Sequence, residues 1–213
     1  MKKTFLFLVL CAVNLSFAKS ELATYQVRFI NLWNSADHLG FPGNAHFSDI
    51  VVGTHKPNFH LFKIGELSDP AFELLAELGQ TNRLKRKLNQ AKRNGVVENI
   101  QIVPAFYPTG KGEEIEFEVE VSKDFPLLSF ATMIAPSPDW IVGLDSVQVT
   151  LGGAFIDGLE IDLYAIDAGT EEGDYPGNFS LQNEASRPLS RIGLLPCLPG
   201  FDKPFARLSL KKL

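Results

Sequence analysis

The strongest constraint on the fold is the strict alternation of polar and apolar residues over residues 114–121 (EIEFEVEV). Its four glutamates fall on one face, and its four apolar residues, all Ile, Phe or Val, fall on the other. Period-two alternation of this length predicts a half-buried strand of an antiparallel sheet, with one face on the core and one in water. The same pattern recurs at residues 24–32 (TYQVRFINL) and 159–165 (LEIDLYA).

Two other segments complete the prediction of the fold. Residues 127–135 are nearly all apolar, which is typical of a central strand covered on both faces. Asp69-Pro70 is a helix-start signal, and the segment from Thr81 to Asn94 has apolar residues on one side only. Short strands with turn signals between them, interrupted by one helical segment, predict an all-β fold: an antiparallel two-sheet β-sandwich with a short helical insertion.

Residues 1–18 predict a signal peptide, because Lys2 and Lys3 precede a short apolar run that ends in a small-x-small site at Ala18. The run is shorter than the ~20 residues that span a bilayer. A lipoprotein signal is the alternative, since Cys11 lies within the run, but Leu10 precedes it where a small residue is expected. We expect cleavage after Ala18, one domain over residues 19–213, and export to the periplasm or the outside of the cell.

Removal of the signal peptide changes the cysteine count and the charge. Cys197 becomes the only cysteine, so no intrachain disulfide can form. The 20 basic residues lose two lysines and become 18 against 25 acidic residues, a net charge of about −7. This charge argues against a nucleic-acid partner, which needs a broad basic face. No second apolar segment is long enough to cross a membrane, so we expect no transmembrane segment in the mature protein.

The second predicted helix is basic although the chain as a whole is acidic. Its cations are Arg83, Lys85, Arg86, Lys87, Lys92 and Arg93. A solvated helix face is the simpler interpretation of such a cluster. Contact with an anionic polysaccharide or lipid is the alternative.

Residues 136–146 (PSPDWIVGLDS) combine two prolines, a tryptophan, a glycine and two aspartates. Each proline fixes its own φ and biases the residue before it towards extended geometry. The segment therefore predicts a stiff turn in which Trp140 is an apolar anchor and Asp139 is held in a fixed position.

Acidic residues follow three predicted strand ends. They are Glu120, then Asp139 with Asp145, and then Asp167 with Glu171 and Glu172. Loops from different strands converge at one end of a sandwich, and several carboxylates together repel each other unless a proton or a cation lies among them. A site built from carboxylates and carbonyls favours Ca²⁺ first, with Mg²⁺ or Mn²⁺ behind.

Catalytic motifs give little support for an enzyme. HExxH and GxSxG are absent from the sequence, and all four histidines lie in its first third. Cys197 lies between prolines in an apolar setting, which raises the pKa of a thiol and does not activate it. A pair of carboxylates is all that glycoside hydrolysis requires, so the acidic loops leave a hydrolase open. We predict a protein that is not an enzyme.

Several segments together resemble the spondin domain, the N-terminal domain of F-spondin. They are residues 46–55 (HFSDIVVGTH), 75–79 (LAELG), 126–130 (PLLSF), 136–146 and 162–170 (DLYAIDAGT). The likeness extends from about residue 23 to 210, nearly the whole predicted mature chain. It indicates a single-domain member behind a signal peptide of bacterial type.

The resemblance implies a C2-like antiparallel sandwich with a divalent cation, usually Ca²⁺, at one end. Glu120, Asp139 and Asp167 match family ligand positions, and the fourth position, usually aspartate, is Glu171 in this chain. Glutamate keeps the charge but is one methylene longer than aspartate, so the family's coordination does not carry over directly to this position. Animal members carry cysteines and thrombospondin-type repeats, whereas this sequence has only Cys11 and Cys197 and no such repeat, so the matrix, integrin and guidance roles of those members are not transferred.

Three functional hypotheses follow. The first is an exported Ca²⁺-binding sandwich that recognises a surface, matrix or polysaccharide ligand, as an adhesion module does. The second is a hydrolase that uses the acidic loop cluster. The third is a structural envelope protein in which the cation only fastens loops together.

Overall fold

The computed structural model describes residues 20–38, 40–171, 192–194 and 201–213. The predicted signal peptide (residues 1–18), Glu172 and Cys197 lie outside the described residues. The described strands and helices are β1 (Leu22–Asn31), β2 (His46–Phe47), β3 (Ile50–His55), α1 (Pro70–Leu78), α2 (Asn82–Arg93), β4 (Val97–Val103), β5 (Glu114–Ser122), β6 (Leu127–Ala135), β7 (Trp140–Gln148), β8 (Thr150–Leu151), β9 (Ala154–Phe155), β10 (Gly158–Leu163), β11 (Ile166–Asp167), β12 (Gly193–Leu194) and β13 (Ala206–Lys212).

Most of these strands form two antiparallel sheets, as the alternating segments predict. The smaller sheet has the order β10-β13-β1-β5, and the larger has the order β12-β11-β7-β6-β3-β4, with β2 also paired to β6. β8 and β9 form a separate small hairpin. The prediction of an all-β sandwich with a short helical insertion is confirmed.

The core between the sheets is built from inward-facing aromatic and aliphatic residues. Tyr25, Val27 and Phe29 of β1 are buried, as their alternation predicts. The ring of Phe29 meets the ring of Phe47 edge to face at 4.9 Å and that of Phe130 at 6.1 Å. Such edge-to-face pairs stabilise a core beyond the area they bury.

The helices cover the outer face of the larger sheet. The Asp69 carboxylate accepts a hydrogen bond from the Ala71 N–H at 2.8 Å and caps α1, which ends at Gly79 with φ 64°. Leu75 of α1 and Leu88 of α2 are buried in a second apolar cluster against the sheet. Every residue of β6 is buried, because the smaller sheet covers one of its faces and the helices cover the other.

The structure corrects the prediction that residues 136–146 are one turn. The turn occupies residues 136–139 only, and β7 begins at Trp140. Ile141 pairs with Met133 of β6, so strand pairing outweighs the turn signal of Gly143. Gly143 serves that pairing, since an added Cβ would lie 2.7 Å from the backbone oxygen of Phe130.

Candidate functional site

The short turn after β6 fixes the position of Asp139. The Ser137 hydroxyl accepts a hydrogen bond from the Trp140 N–H at 3.0 Å, which closes the turn around Asp139. Trp140 is buried and its ring packs edge to face on Phe201 at 4.8 Å. The tryptophan therefore anchors the turn in the core, as its position in the sequence predicts.

The carboxylate of Asp139 is buried, with only 1% of the residue exposed. Its Oδ2 atom accepts hydrogen bonds from the N–H groups of Thr170 at 2.6 Å and Glu171 at 3.1 Å. Its Oδ1 atom accepts no hydrogen bond from any described residue. A buried polar atom without a partner is rare and indicates an unmet interaction, such as that with an ion.

Asp167 lies beside Asp139 because β11 pairs with β7. Asp167 stands opposite Trp140 in that pairing, and the Ala168 N–H donates to the Asp139 backbone oxygen at 3.2 Å. The chain turns at Gly169, whose φ of 72° favours glycine and whose N–H donates to Asp167 Oδ1 at 2.7 Å. Strand pairing thus brings together two aspartates that are 28 residues apart in the sequence.

The electrostatics of this pair favour a proton or a cation. Burial, and then the neighbouring charge of Asp167, raise the pKa of Asp139 from 3.8 to about 6. The backbone N–H groups of Thr170 and Glu171 lower the pKa but do not outweigh these two causes. Near neutral pH the site therefore holds a buried carboxylate whose charge is only partly compensated.

Glu77, near the end of α1, is an additional acid that sequence reasoning did not select. Its side chain forms a hydrogen bond with Thr170, which also contacts Asp139, and burial raises the pKa of Glu77. Its place in a helix remote in sequence gave no signal that it would meet the loop after β11. Only the packing of α1 on the larger sheet makes it a neighbour.

The structure brings three of the four predicted ligands to one end of the sandwich. Glu171 lies there with Asp139 and Asp167, since its N–H donates to Asp139. Glu120 lies near the end of β5, which connects through a short turn to the start of β6, whereas Asp139 follows the far end of β6. Nine residues of strand separate these ends by about 30 Å.

Glu120 instead borders a cleft between β4 and β5, the edge strands of the two sheets. Its backbone oxygen accepts a hydrogen bond from Asn99 Nδ2 at 2.8 Å, and its side chain is exposed. The cleft has a volume of about 450 Å³ and is also lined by Thr24, Thr54 and Glu118.

The acids around Asp139 do not form a complete ligand set. Among the described residues, no three carboxylate, imidazole or thiol side chains are grouped so that they hold a metal ion. A cation at Asp139 therefore requires oxygen ligands in addition to the two neighbouring aspartates. Of the other predicted ligands, Glu171 is the one whose backbone contacts Asp139.

Asp145 has a different environment from Asp139. Its Oδ1 accepts hydrogen bonds from the Leu61 N–H at 2.7 Å and the Ser129 hydroxyl at 3.1 Å. Its Oδ2 lies 2.6 Å from His60 Nδ1 and accepts from the Ser146 hydroxyl at 2.9 Å. These partners tie the loop before α1 to β6 and β7, so Asp145 has the structural role of a loop-bonding residue.

His55 extends this polar network into the core. Its Nε2 lies 2.7 Å from the Ser129 hydroxyl and its Nδ1 lies 2.8 Å from the Lys56 backbone oxygen. Burial lowers the pKa of His55, which favours the neutral ring. Because both His55 and Ser129 are buried, a substrate has no access to this serine–histidine pair.

The fold and this end of it define a class of protein: an antiparallel β-sandwich with helices on one outer face and an acidic loop site. Within the described part of the chain, no helix combines the length and apolar character needed to cross a membrane. The family model described as Spondin_N matches residues 23–198. The chain belongs to the spondin N-terminal domain family.

Curated relatives agree with this assignment. The chain is similar to Spondin-2 of Rattus norvegicus, at 30% identity over 80% of the chain and 52% of the relative. It is similar to Spondin-1 of Homo sapiens at 29% identity over 80% of the chain and 22% of the relative. Spondin-1 of Xenopus laevis matches at 30% identity over 90% of the chain and 25% of the relative. The chain thus spans about half of Spondin-2 and about a quarter of Spondin-1.

Proposed function

We propose that this protein is an exported recognition module, of the kind used in adhesion, that binds a divalent cation at the Asp139 end of the sandwich. The single observation that carries the proposal is the buried Oδ1 atom of Asp139, to which no described residue donates. Asp139 and Asp167 are the proposed principal ligands. Glu171 is the proposed third carboxylate, and its side chain would have to join the pair when the ion binds, because the three do not form a metal-holding group as they stand. The signal-peptide pattern of residues 1–18 supports export.

Ca²⁺ is the proposed ion because the available ligands are all oxygen atoms. Ca²⁺ accepts six to eight oxygens in flexible geometry and includes backbone carbonyls and waters among them. That flexibility suits a site with two adjacent carboxylates and a glutamate in place of the family's usual aspartate. The bound ion would hold together the loop after β6 and the loop after β11.

Burial favours binding over catalysis at this site. A catalytic carboxylate must reach a substrate within hydrogen-bond distance. Only 1% of Asp139 is exposed, and its Oδ2 atom is engaged by backbone N–H groups. A bound cation would shape the loops around it, and those loops, on the surface, would contact the ligand.

Thermal unfolding with Ca²⁺ and with chelator tests the cation site. Ca²⁺ at a hundredfold excess over its Kd should stabilise the fold by ~2.7 kcal/mol, a rise in Tm of about 5–10 °C for a chain of this size. Asp139→Asn should abolish the rise. Asp124→Asn, which changes an exposed acid, is the matched control and should keep it.

Equal midpoints of the wild type with and without Ca²⁺ would contradict the cation proposal. A rise that Asp139→Asn retains would place the ion elsewhere. A panel of glycoside and ester substrates distinguishes the hydrolase, since turnover lost in Asp139→Asn and kept in Asp124→Asn would support that alternative.

A further inference from the structure

Helix α2 carries a concentration of positive charge that the cation site does not explain. Six of its 12 residues are Lys or Arg and none is acidic. The full chain has a net charge of −5, so this helix opposes the charge of the protein that carries it.

The orientation of α2 presents these charges to solvent. Leu84, Leu88 and Ala91 are buried against the sheet, and they form the apolar side of the helix. All the cations except the half-buried Lys87 are exposed. From Arg83 to Arg93 the charges extend over about 15 Å of helix.

Few of these charges are neutralised by the residues that the structure describes. Among the described residues, the ion pair of α2 is that between Lys87 Nζ and Asp69 Oδ2, at 3.2 Å. The guanidinium of Arg93 donates to the neutral amide oxygen of Gln90 at 2.6 Å. The other cations therefore face water with their charge available to a partner.

A depression in the protein surface lies beside the exposed face of α2. It lies between the start of α1, at Asp69, Pro70 and Ala71, and the side chains of Arg83, Arg86 and Lys87. Its volume is about 460 Å³. Two arginines at its wall can form forked hydrogen bonds to carboxylate, sulfate or phosphate groups.

The length and chemistry of the row favour an anionic polymer. A small anion would meet one or two of the charges, whereas a polymer with successive anionic groups can contact several of them along the helix. The exposed amides of Asn82 and Gln90 lie among the cations and suit the hydroxyl groups of a sugar. A membrane is a poorer match, because the apolar side chains of α2 are buried and do not insert into lipid.

A second copy of the chain is also a poorer match. Its most acidic stripe is the outer face of β5, but Arg28 already pairs with Glu114 and with Glu116, the latter at 3.4 Å. Arg28 thus engages two of the four glutamates of that stripe and compensates one of their four negative charges.

We propose that the exposed face of α2 and the depression beside it bind an anionic polysaccharide. Helix α2 itself is separate from the proposed Ca²⁺ site, since it packs on β4, at the opposite edge of the larger sheet from the Asp139–Asp167 strand pair. The start of α1, which forms the other wall of the depression, is closer to that pair, because the Ser68 hydroxyl donates to the Ala168 backbone oxygen at 2.7 Å. Binding should persist in chelator and in Asp139→Asn.

Binding of the full chain to dextran sulfate and to polygalacturonate, with neutral dextran as the blank, tests the proposal. The two anionic probes distinguish sulfate from carboxylate as the recognised group. The triple variant Arg83→Gln, Arg86→Gln, Arg93→Gln should weaken binding about tenfold or more. The triple variant Lys123→Gln, Lys203→Gln, Lys211→Gln removes three exposed charges elsewhere and should change binding less than about twofold.

Equal losses in the two triple variants would overturn the proposal, because net charge alone would then explain binding. No binding to either probe at low salt would also overturn it and leave α2 a solvated surface. Equal affinity for a DNA oligonucleotide or for vesicles of anionic lipid would refute the polysaccharide as the partner. Circular dichroism of both variants confirms that each remains folded.

Discussion

Asp139 and Asp145 are six residues apart in the same segment, and their surroundings differ in every respect that decides a role. Asp145 is held by His60, Leu61, Ser129 and Ser146 through both of its carboxylate oxygens. Asp139 is more deeply buried, has a carboxylate neighbour, and leaves Oδ1 without a described donor. A carboxylate whose bonds are all made stabilises the fold, whereas one buried without them indicates a binding site.

The largest effect should come from Asp145→Ala, which removes four hydrogen-bond partners at once. The Leu61 N–H and the Ser129 hydroxyl would lose their acceptor in a mostly buried place. We expect unfolding free energy to fall by about 3 kcal/mol. Denaturant unfolding measures this change, and the stabilisation by Ca²⁺ should be unchanged. A fall below ~0.5 kcal/mol would remove the contrast with Asp139.

The next effect is the pH dependence that Asp139 imposes in chelator. Its pKa is about 6 in the folded protein and 3.8 by default, so between these values the folded state keeps a proton that the unfolded state has released. The protonated Asp139 therefore contributes about 3 kcal/mol to the free energy of unfolding. This contribution is fully present below pH ~4 and is lost as the pH rises through ~6.

Unfolding free energies of the wild type and Asp139→Asn, compared across this range, isolate the contribution of Asp139. The variant does not titrate at this position, so in chelator it should be the more stable of the two at pH 7. Ca²⁺ competes with the proton, so its stabilisation of the wild type should grow from pH 5 to pH 7. If the difference in unfolding free energy between the wild type and Asp139→Asn did not change with pH, the pKa of Asp139 would not be raised.

A smaller effect should follow Asp167→Asn, which removes the neighbouring charge but leaves the burial of Asp139. The pKa of Asp139 should fall below about 6 and remain above 3.8, because burial is the larger of the two causes. Carboxyl-carbon NMR titration of the protein in chelator measures it. An unchanged pKa would mean that the two aspartates do not interact.

The smallest effect should be that of Glu120→Ala. Glu120 is exposed and lies at the other end of β6, so we expect a change within ~0.5 kcal/mol and an intact Ca²⁺ response. Thermal unfolding with Ca²⁺ and chelator checks both. Loss of the response would restore the four-ligand site that the family resemblance implies.

The sequence by itself determined most of the strands, the helical insertion and the family, but it did not place the start of β7 at Trp140. Alternation at residues 114–121 and the uninterrupted apolar run at 127–135 are local patterns, and each follows from which faces of a strand are buried. The acids that flank strand ends were also visible, as was the anchoring role of Trp140. Such features depend on neighbours in the chain, so the order of residues is enough to recognise them.

The tertiary structure decided which of these acids meet. Pairing of β11 with β7 places Asp167 beside Asp139. Packing of α1 on the larger sheet brings Glu77 to the same place. The length of β6 separates Glu120 from these acids.

The pattern of acids alone does not distinguish Asp145 from Asp139, and the family resemblance leaves Asp145 out of the ligand positions. Its partners from the loop before α1 and from β6 give the physical reason for its structural role. Burial and the number of hydrogen-bond donors around a carboxylate determine its charge state. Both depend on residues that are distant in the chain.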